Sequence, residues 1–167
     1  MSPLYIVIGF LVVQRAAELV VACRNHRTLL ASGAIEVGQR HYPAIVALHT
    51  GWLLAMLLTV DSESSVSIPL LGIFVLLECG RVWVIVTLGS RWTTRIMVVP
   101  GARRIQSGPY RYVNHPNYWI VCGEIAVVPL MFGDWLLALI ASVLNLLVLR
   151  TRVRVENKAL AEAYGEA

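Results

Sequence analysis

The sequence predicts an all-α integral membrane protein: a bundle of five transmembrane helices, with a C-terminal helical hairpin and a cytoplasmic amphipathic tail helix. Three observations lead there. Apolar residues make up 57% of the chain and mean hydropathy is +0.69, whereas a soluble domain is about 45–50% apolar. The apolar residues fall into runs over 3–22, 43–60, 68–88, 116–132 and 135–149, lengths near or just under the ~20 residues a helix needs to cross hydrocarbon. Twelve of the fourteen Arg and Lys residues lie in three of the segments that join or follow these runs. The length, 167 residues, fits one membrane domain over 1–167.

The first run begins at Pro3 with no basic residues ahead of it and no small-residue cleavage site, so it reads as a retained helix and not a secretory leader. It carries Gln14, Arg15 and Glu18, which helical spacing puts on one face. Charges at that depth face the protein interior. They read either as a local Arg15–Glu18 pair or as the polar wall of a cavity. Residues 23–42 form a polar connection with Arg24, Arg27 and Arg40. Ser32-Gly33 and Gly38 interrupt it, which predicts a short, broken interfacial helix.

The second run is followed by the acidic turn 61–67, which has no basic residue. The third holds Glu78 and Arg81, again on one face. They pair with each other or reach Arg15 and Glu18 across the bundle. The connection 89–115 carries Arg91, Arg95, Arg103, Arg104 and Arg111. Within it Ile96–Val99 is a short apolar island that reads as a membrane-lying patch or a lid edge. The fourth and fifth runs, with Glu124 in the fourth, are joined by the tight turn Gly133-Asp134. In the tail, Arg150, Arg154 and Lys158 recur every four residues, a basic stripe suited to anionic headgroups.

Charge gives the orientation. The 61–67 and 133–134 turns hold no Arg or Lys. The positive-inside rule therefore places the N-terminus outside and the three basic segments in the cytoplasm.

Several function classes are excluded. No soluble domain is left to carry a nucleic-acid-binding patch. Cys23, Cys79 and Cys122 are odd in number and widely separated, unlike a disulfide framework. No His-Glu-x-x-His or Cys/His spacing marks a metal site, and neither a dinucleotide fingerprint nor a phosphate loop is present.

The polar stretch that matters most is 107–118, Ser-Gly-Pro-Tyr-Arg-Tyr-Val-Asn-His-Pro-Asn-Tyr. Gly108-Pro109 and His115-Pro116 fix the backbone at two points. Pro116 suits the first position of a helix. Between them stand Tyr110, Arg111, Tyr112, Asn114 and His115, with Tyr118 just beyond. Aromatic faces beside amide donors suit a polar ligand with a flat base. The same residues would also suit a juxtamembrane turn at the headgroup level.

This stretch resembles the signature G-P-Y-R-[YF]-x-R-H-P-x-Y of the isoprenylcysteine carboxyl methyltransferase family. The likeness extends through Leu88, Gly89, Ser90, Arg91, Trp92 and Thr93, through Pro100-Gly101, and through Arg152, Glu156, Asn157 and Leu160. Gln14, Arg15, Glu18 and His41-Tyr42-Pro43 are similar to small bacterial members that resemble alkylpyrone O-methyltransferases. The resemblance implies a methyltransferase using S-adenosyl-L-methionine, integral to a bacterial-type cytoplasmic membrane, with a lipid-like acceptor. It implies cofactor contacts from Gly108, Pro109, Tyr110, Arg111, Tyr112, His115, Pro116, Tyr118, Glu156 and Asn157. His115, Asn114 and Glu124 are the catalytic candidates, with the general base open between His115 and Glu124.

Two positions depart from the family pattern. Asn114 stands where arginine precedes His-Pro, and Asn157 replaces the second acidic residue of the tail pair. A guanidinium at 114 would pair a carboxylate. Its absence favours a neutral or enolic oxygen, as in an alkylpyrone or alkylresorcinol, over a prenylcysteine carboxylate. Two rivals stay open: a non-enzymatic transporter or scaffold with Glu18, Glu78 and Arg81 lining a polar path, and a sterol-type reductase using a nicotinamide cofactor.

Overall fold

A computed structural model describes residues 2–102 and 105–164, with the side chain of Tyr164 excepted. The chain forms α1 (Pro3–Ala31), β1 (Ile35–Val37), α2 (Tyr42–Thr59), α3 (Ile68–Leu88), β2 (Ile96–Val98), α4 (Pro116–Met131) and α5 (Trp135–Tyr164). Short 3₁₀ turns cover Gln39–His41, Gly89–Arg91 and Gly108–Arg111.

Each of the first four helices has proline in its first two positions, namely Pro3, Pro43, Pro69 and Pro116. The N–H that proline lacks has no partner there in any helix, and its fixed φ suits the first turn. α5 starts differently. Gly133 adopts φ +83°, a conformation favourable only to glycine. Asp134 Oδ1 then accepts the N–H of Leu137 at 2.9 Å, while Oδ2 accepts Thr59 Oγ1–H at 2.6 Å. One side chain thus caps α5 and ties it to the end of α2.

α1, α2, α3 and α5 are long and apolar enough to cross a membrane. α4, the expected fourth span, has 16 residues, about 24 Å at 1.5 Å per residue; it is shorter than these four, yet its end meets the α2–α3 turn, where Ser67 N–H donates to the Met131 carbonyl at 2.9 Å. It packs between α3 and α5. The apolar core gathers Leu4, Ile8, Leu11, Trp52, Met56, Phe74, Ile125, Val128 and Met131 at one end of the bundle. Large apolar residues such as Val20, Leu58, Leu76 and Val86 face outward, as suits helices solvated by lipid.

Three expectations need correction. α1 does not stop at residue 22. No breaker intervenes before Ser32-Gly33, and the helix runs on to Ala31, replacing the broken interfacial helix. Asn25 in this extension donates to the carbonyls of Gly89 (3.0 Å) and Trp92 (2.9 Å). The fifth run and the tail are likewise one helix of 30 residues, because nothing between 149 and 164 interrupts it. Finally, the 96–99 island is a strand. β2 pairs antiparallel with β1 in the register Ile35↔Val98, Glu36↔Met97, Val37↔Ile96. Glu36 pins this ribbon to α1 by accepting from Arg95 (2.5 Å) and bonding His26 (2.9 Å). Burial opposes ionisation of Glu36, but Arg95 and His26 outweigh it and hold the carboxyl below its ordinary range.

The intramembrane charges do meet across the bundle. Arg15 pairs Glu18 at 2.8 Å and Glu124 at 2.5 Å. Arg81 donates through Nε to Glu124 Oε1 at 2.9 Å and lies 3.6 Å from Glu18 and 3.8 Å from Glu78. Gln14 bonds both Glu18 and Glu78. Helices α1, α3 and α4 are thereby joined where lipid offers no other partner.

Candidate functional site

The stretch 107–118 is shaped by its contact with α3. Gly108 has φ +55°, and a Cβ there would stand 2.4 Å from Thr87 Oγ1 and 3.2 Å from Trp83 Nε1. Only glycine lets the loop sit this close. Pro109 and Pro116 are both buried. Gly108, Pro109 and Pro116 therefore set the path of the chain. The functional side chains are the ones they aim.

Of these, His115, Tyr118, Glu156 and Asn157 come together. Pro116 starts α4 and carries Tyr118 one turn in. Glu156 and Asn157 descend on α5. The Tyr118 hydroxyl donates to Glu156 Oε2 and accepts Arg152 Nε–H at 2.7 Å. His115 stacks on the Tyr118 ring, 5.1 Å between centroids and 13° from parallel. Its Nε2 bonds Asn157 Oδ1 at 2.8 Å, and its Nδ1 lies 3.6 Å from Glu156 Oε2.

This network opens on a cavity of about 160 Å³ between β2, the Gly108–Arg111 turn, the start of α4 and the end of α5. Tyr110, Asn114, His115, Tyr118 and Glu156 line it, together with Arg91, Arg95 and Arg152. Burial pushes the Tyr110 phenol well above its ordinary range, and the Glu156 charge adds to the effect. Arg111 and Tyr112 are exposed and are absent from the lining.

A second cavity, about 250 Å³, lies deeper among α1, α2, α4 and α5. Its wall is mainly apolar, with Leu19, Ile45, Val46, Leu53, Val121 and Val148. Arg15, Glu18 and Arg81 stand at its edge. Trp92, Thr93, Asn117, Tyr118 and Arg152 line both cavities, so the two spaces share a wall. Glu124 lines neither. It is 1% exposed, and both its oxygens are held by guanidinium groups.

Sequence reasoning placed Arg152 within the family likeness but did not name it as a site residue. Its Nε serves Tyr118 and its Nη2 donates to the Thr94 carbonyl at 2.9 Å, so it links α5 to α4 and to the start of β2. A signal was available. Arg152 precedes Glu156 by four and Leu160 by eight, which puts all three on one face of a helix. Trp92 and Asn117 were also missed as wall residues. Trp92 Nε1 and Asn117 Oδ1 are buried without hydrogen-bond partners. A buried polar atom left unpaired costs about 1–3 kcal/mol; Gln14 Oε1, Trp52 Nε1 and Glu78 Oε1 share this state, but only Trp92 and Asn117 also line both cavities.

A family model described as the isoprenylcysteine carboxyl methyltransferase (ICMT) family matches residues 70–162. An uncharacterised protein of Bacillus subtilis, YpbQ, is 36% identical over 162 residues, covering 95% of this chain and 96% of its own. An uncharacterised protein of Haemophilus influenzae is 26% identical over 155 residues, covering 90% of each. No solved structure matches the chain.

Proposed function

Because the chain belongs to the isoprenylcysteine carboxyl methyltransferase family, we propose that it is a membrane-embedded O-methyltransferase acting on a lipid-like acceptor with S-adenosylmethionine. The observation that carries this is the pair of cavities, one polar and one apolar, parted by Tyr118, Asn117, Trp92, Thr93 and Arg152. A water-borne donor and an oil-borne acceptor need two such rooms with a common wall.

The lining residues match the donor's groups in kind. Its adenine suits the Tyr110 ring, its ribose hydroxyls and amine suit Glu156, and its carboxylate suits Arg91 and Arg95, which line the same cavity. Trp92 Nε1 and Asn117 Oδ1 are bonding atoms still to be matched at the wall. When bound, S-adenosylmethionine supplies a methyl group already activated by positive sulfur. What remains for the protein is alignment and exclusion of water. Tyr118 is fixed by Glu156 on one side and Arg152 on the other, so it holds the partition still. The apolar chamber keeps water from the acceptor oxygen.

In this reading His115, which lines the polar cavity and stacks on the shared-wall residue Tyr118, takes the proton of an acceptor hydroxyl brought up to that wall, and Glu156 faces the charge that forms. Glu124 is the weaker candidate, because both its oxygens are spent on Arg15 and Arg81. The acceptor is a hydroxyl of the alkylpyrone or alkylresorcinol type. Asn114 in place of arginine supports this, since no cation at that position awaits a carboxylate. The positive-inside rule supports an N-terminus outside, with the polar cavity and C-terminus cytoplasmic.

The test uses purified protein in lipid vesicles with a labelled methyl donor. It is offered a long-chain alkylresorcinol, a long-chain alkylpyrone and a farnesylated cysteine. Label is expected in the first two. Label only in the farnesylated cysteine would reverse the acceptor assignment. Absence of saturable S-adenosylmethionine binding would remove the methyltransferase reading itself.

A further inference from the structure

We propose that Trp92 Nε1 and Asn117 Oδ1 are the acceptor-recognition pair, a fixed donor and a fixed acceptor that select a neutral headgroup with two oxygens. The inference rests on the methyltransferase reading above and adds which atoms choose the substrate. Both atoms are buried, both lack a partner, and both residues line the wall common to the two cavities. An indole N–H can only donate. The Asn117 oxygen can only accept. A head with one hydroxyl to give and a second oxygen to receive satisfies both, as resorcinols and hydroxypyrones do.

A carboxylate fits less well. It would satisfy Trp92 but set its negative charge against the Asn117 carbonyl dipole. The guanidiniums nearby do not reverse this. Arg15 and Arg81 are already paired by Glu18 and Glu124. Arg152 is spent on Tyr118 and the Thr94 carbonyl. The methyl donor is a weaker owner of the pair, because the polar cavity already presents it with the Glu156 carboxylate, the Tyr110 ring and the Asn114 amide. Trp92 is also held rigidly, 4% exposed in a cluster with Val84 and Ile120, so its N–H is aimed by packing.

Three forms of the full-length protein are compared: wild type, Trp92→Phe and Asn117→Leu. Equilibrium binding of a labelled long-chain alkylresorcinol, and of its dimethyl ether, is measured in detergent beside S-adenosylmethionine binding. Each variant is expected to bind the resorcinol about 10–100-fold more weakly, the loss for one unpaired buried group, with donor binding within about twofold of wild type. The dimethyl ether, which has no hydroxyl to give, should bind wild type and Asn117→Leu equally. A loss confined to S-adenosylmethionine would assign the pair to the donor and overturn the proposal. Unchanged binding of both ligands would also overturn it. Should Trp92→Phe fail to fold, Asn117→Leu and the ether decide alone. The binding arm needs no turnover. A wild type that binds resorcinol through these atoms but transfers no methyl would therefore sink the proposed activity and leave the recognition pair standing.

Discussion

Two polar networks in this molecule both pair arginine with glutamate, yet they sit in different surroundings. The deeper one, in α1, α3 and α4, sets Arg15 and Arg81 against Glu18, Glu78 and Glu124. Its charges are spent on one another, and Arg81 and Glu124 are 1% exposed. The other joins Tyr118, His115, Arg152, Glu156 and Asn157, and it faces an open cavity. The difference lies in what each network spans. The deep one ties three helices together, with Arg15, Glu18 and Arg81 also lining the apolar cavity. The other ties α4 to α5 beside the polar cavity.

The comparison can be broken most sharply at Glu124. Glu124→Gln leaves Arg15 and Arg81 short of a counter-charge. Breaking a buried pair this way costs about 3–5 kcal/mol, so thermal unfolding in detergent should shift far downward. Double replacement of Arg81 by Met and Glu124 by Leu should recover part of that loss. An unshifted melting curve for Glu124→Gln would show that the deep network does not hold the fold.

Glu156→Gln should do the reverse. Methyl transfer should fall about 100-fold, roughly 2.7 kcal/mol at 1.36 kcal/mol per tenfold, with the melting temperature within about 2 °C of wild type. A large drop in stability would erase the contrast between the networks. Tyr118→Phe keeps the ring that stacks on His115 and removes only the hydroxyl between Glu156 and Arg152. About tenfold lower turnover is expected, as for one hydrogen bond to a charged group, with the fold intact.

The smallest effect concerns pH and the β1–β2 ribbon, which belongs to neither network. Glu36 has its folded pKa below the unfolded value. The stability it contributes is present above the unfolded pKa and is lost as pH falls through the folded one. His41 acts in the same direction. Burial, reinforced by the charge of Arg152, lowers its pKa from 6.5, so protonation below that value opposes folding. Hydrogen-exchange protection at residues 35–37 and 96–98, measured against the intrinsic rate at each pH, should therefore fall on acidification. In Glu36→Gln the carboxylate part of that fall should vanish.

Much of this was legible in the sequence because the relevant signals are local. Long apolar runs fix the helices, and prolines mark four of their starts. Gly108 and Pro109 announced a constrained loop. The spacing of Arg15–Glu18 and Glu78–Arg81 revealed two polar faces, although which of two pairings they adopt is a fact of three dimensions. The β1–β2 ribbon was hidden because three residues per strand carry too little period to read. Its partners lie about 60 positions apart. The ends of α1 and α5 were misplaced for one reason: falling hydropathy marks where lipid would end, not where backbone hydrogen bonding stops. In the candidate site, motif residues such as Tyr118 and His115 stood out. That Trp92, Asn117 and Arg152 share a wall was not legible, since that wall exists only once α4 and α5 are packed.

The unbroken course of α5 has a further consequence. Asn145 of the oily chamber, Arg152 of the dividing wall and Glu156 of the polar chamber all ride on one rod. A shift of that rod on filling one chamber would be felt in the other. On the proposed reaction, thermodynamic reciprocity then requires that whatever factor the acceptor adds to the grip on the methyl donor, the donor returns in equal measure to the acceptor.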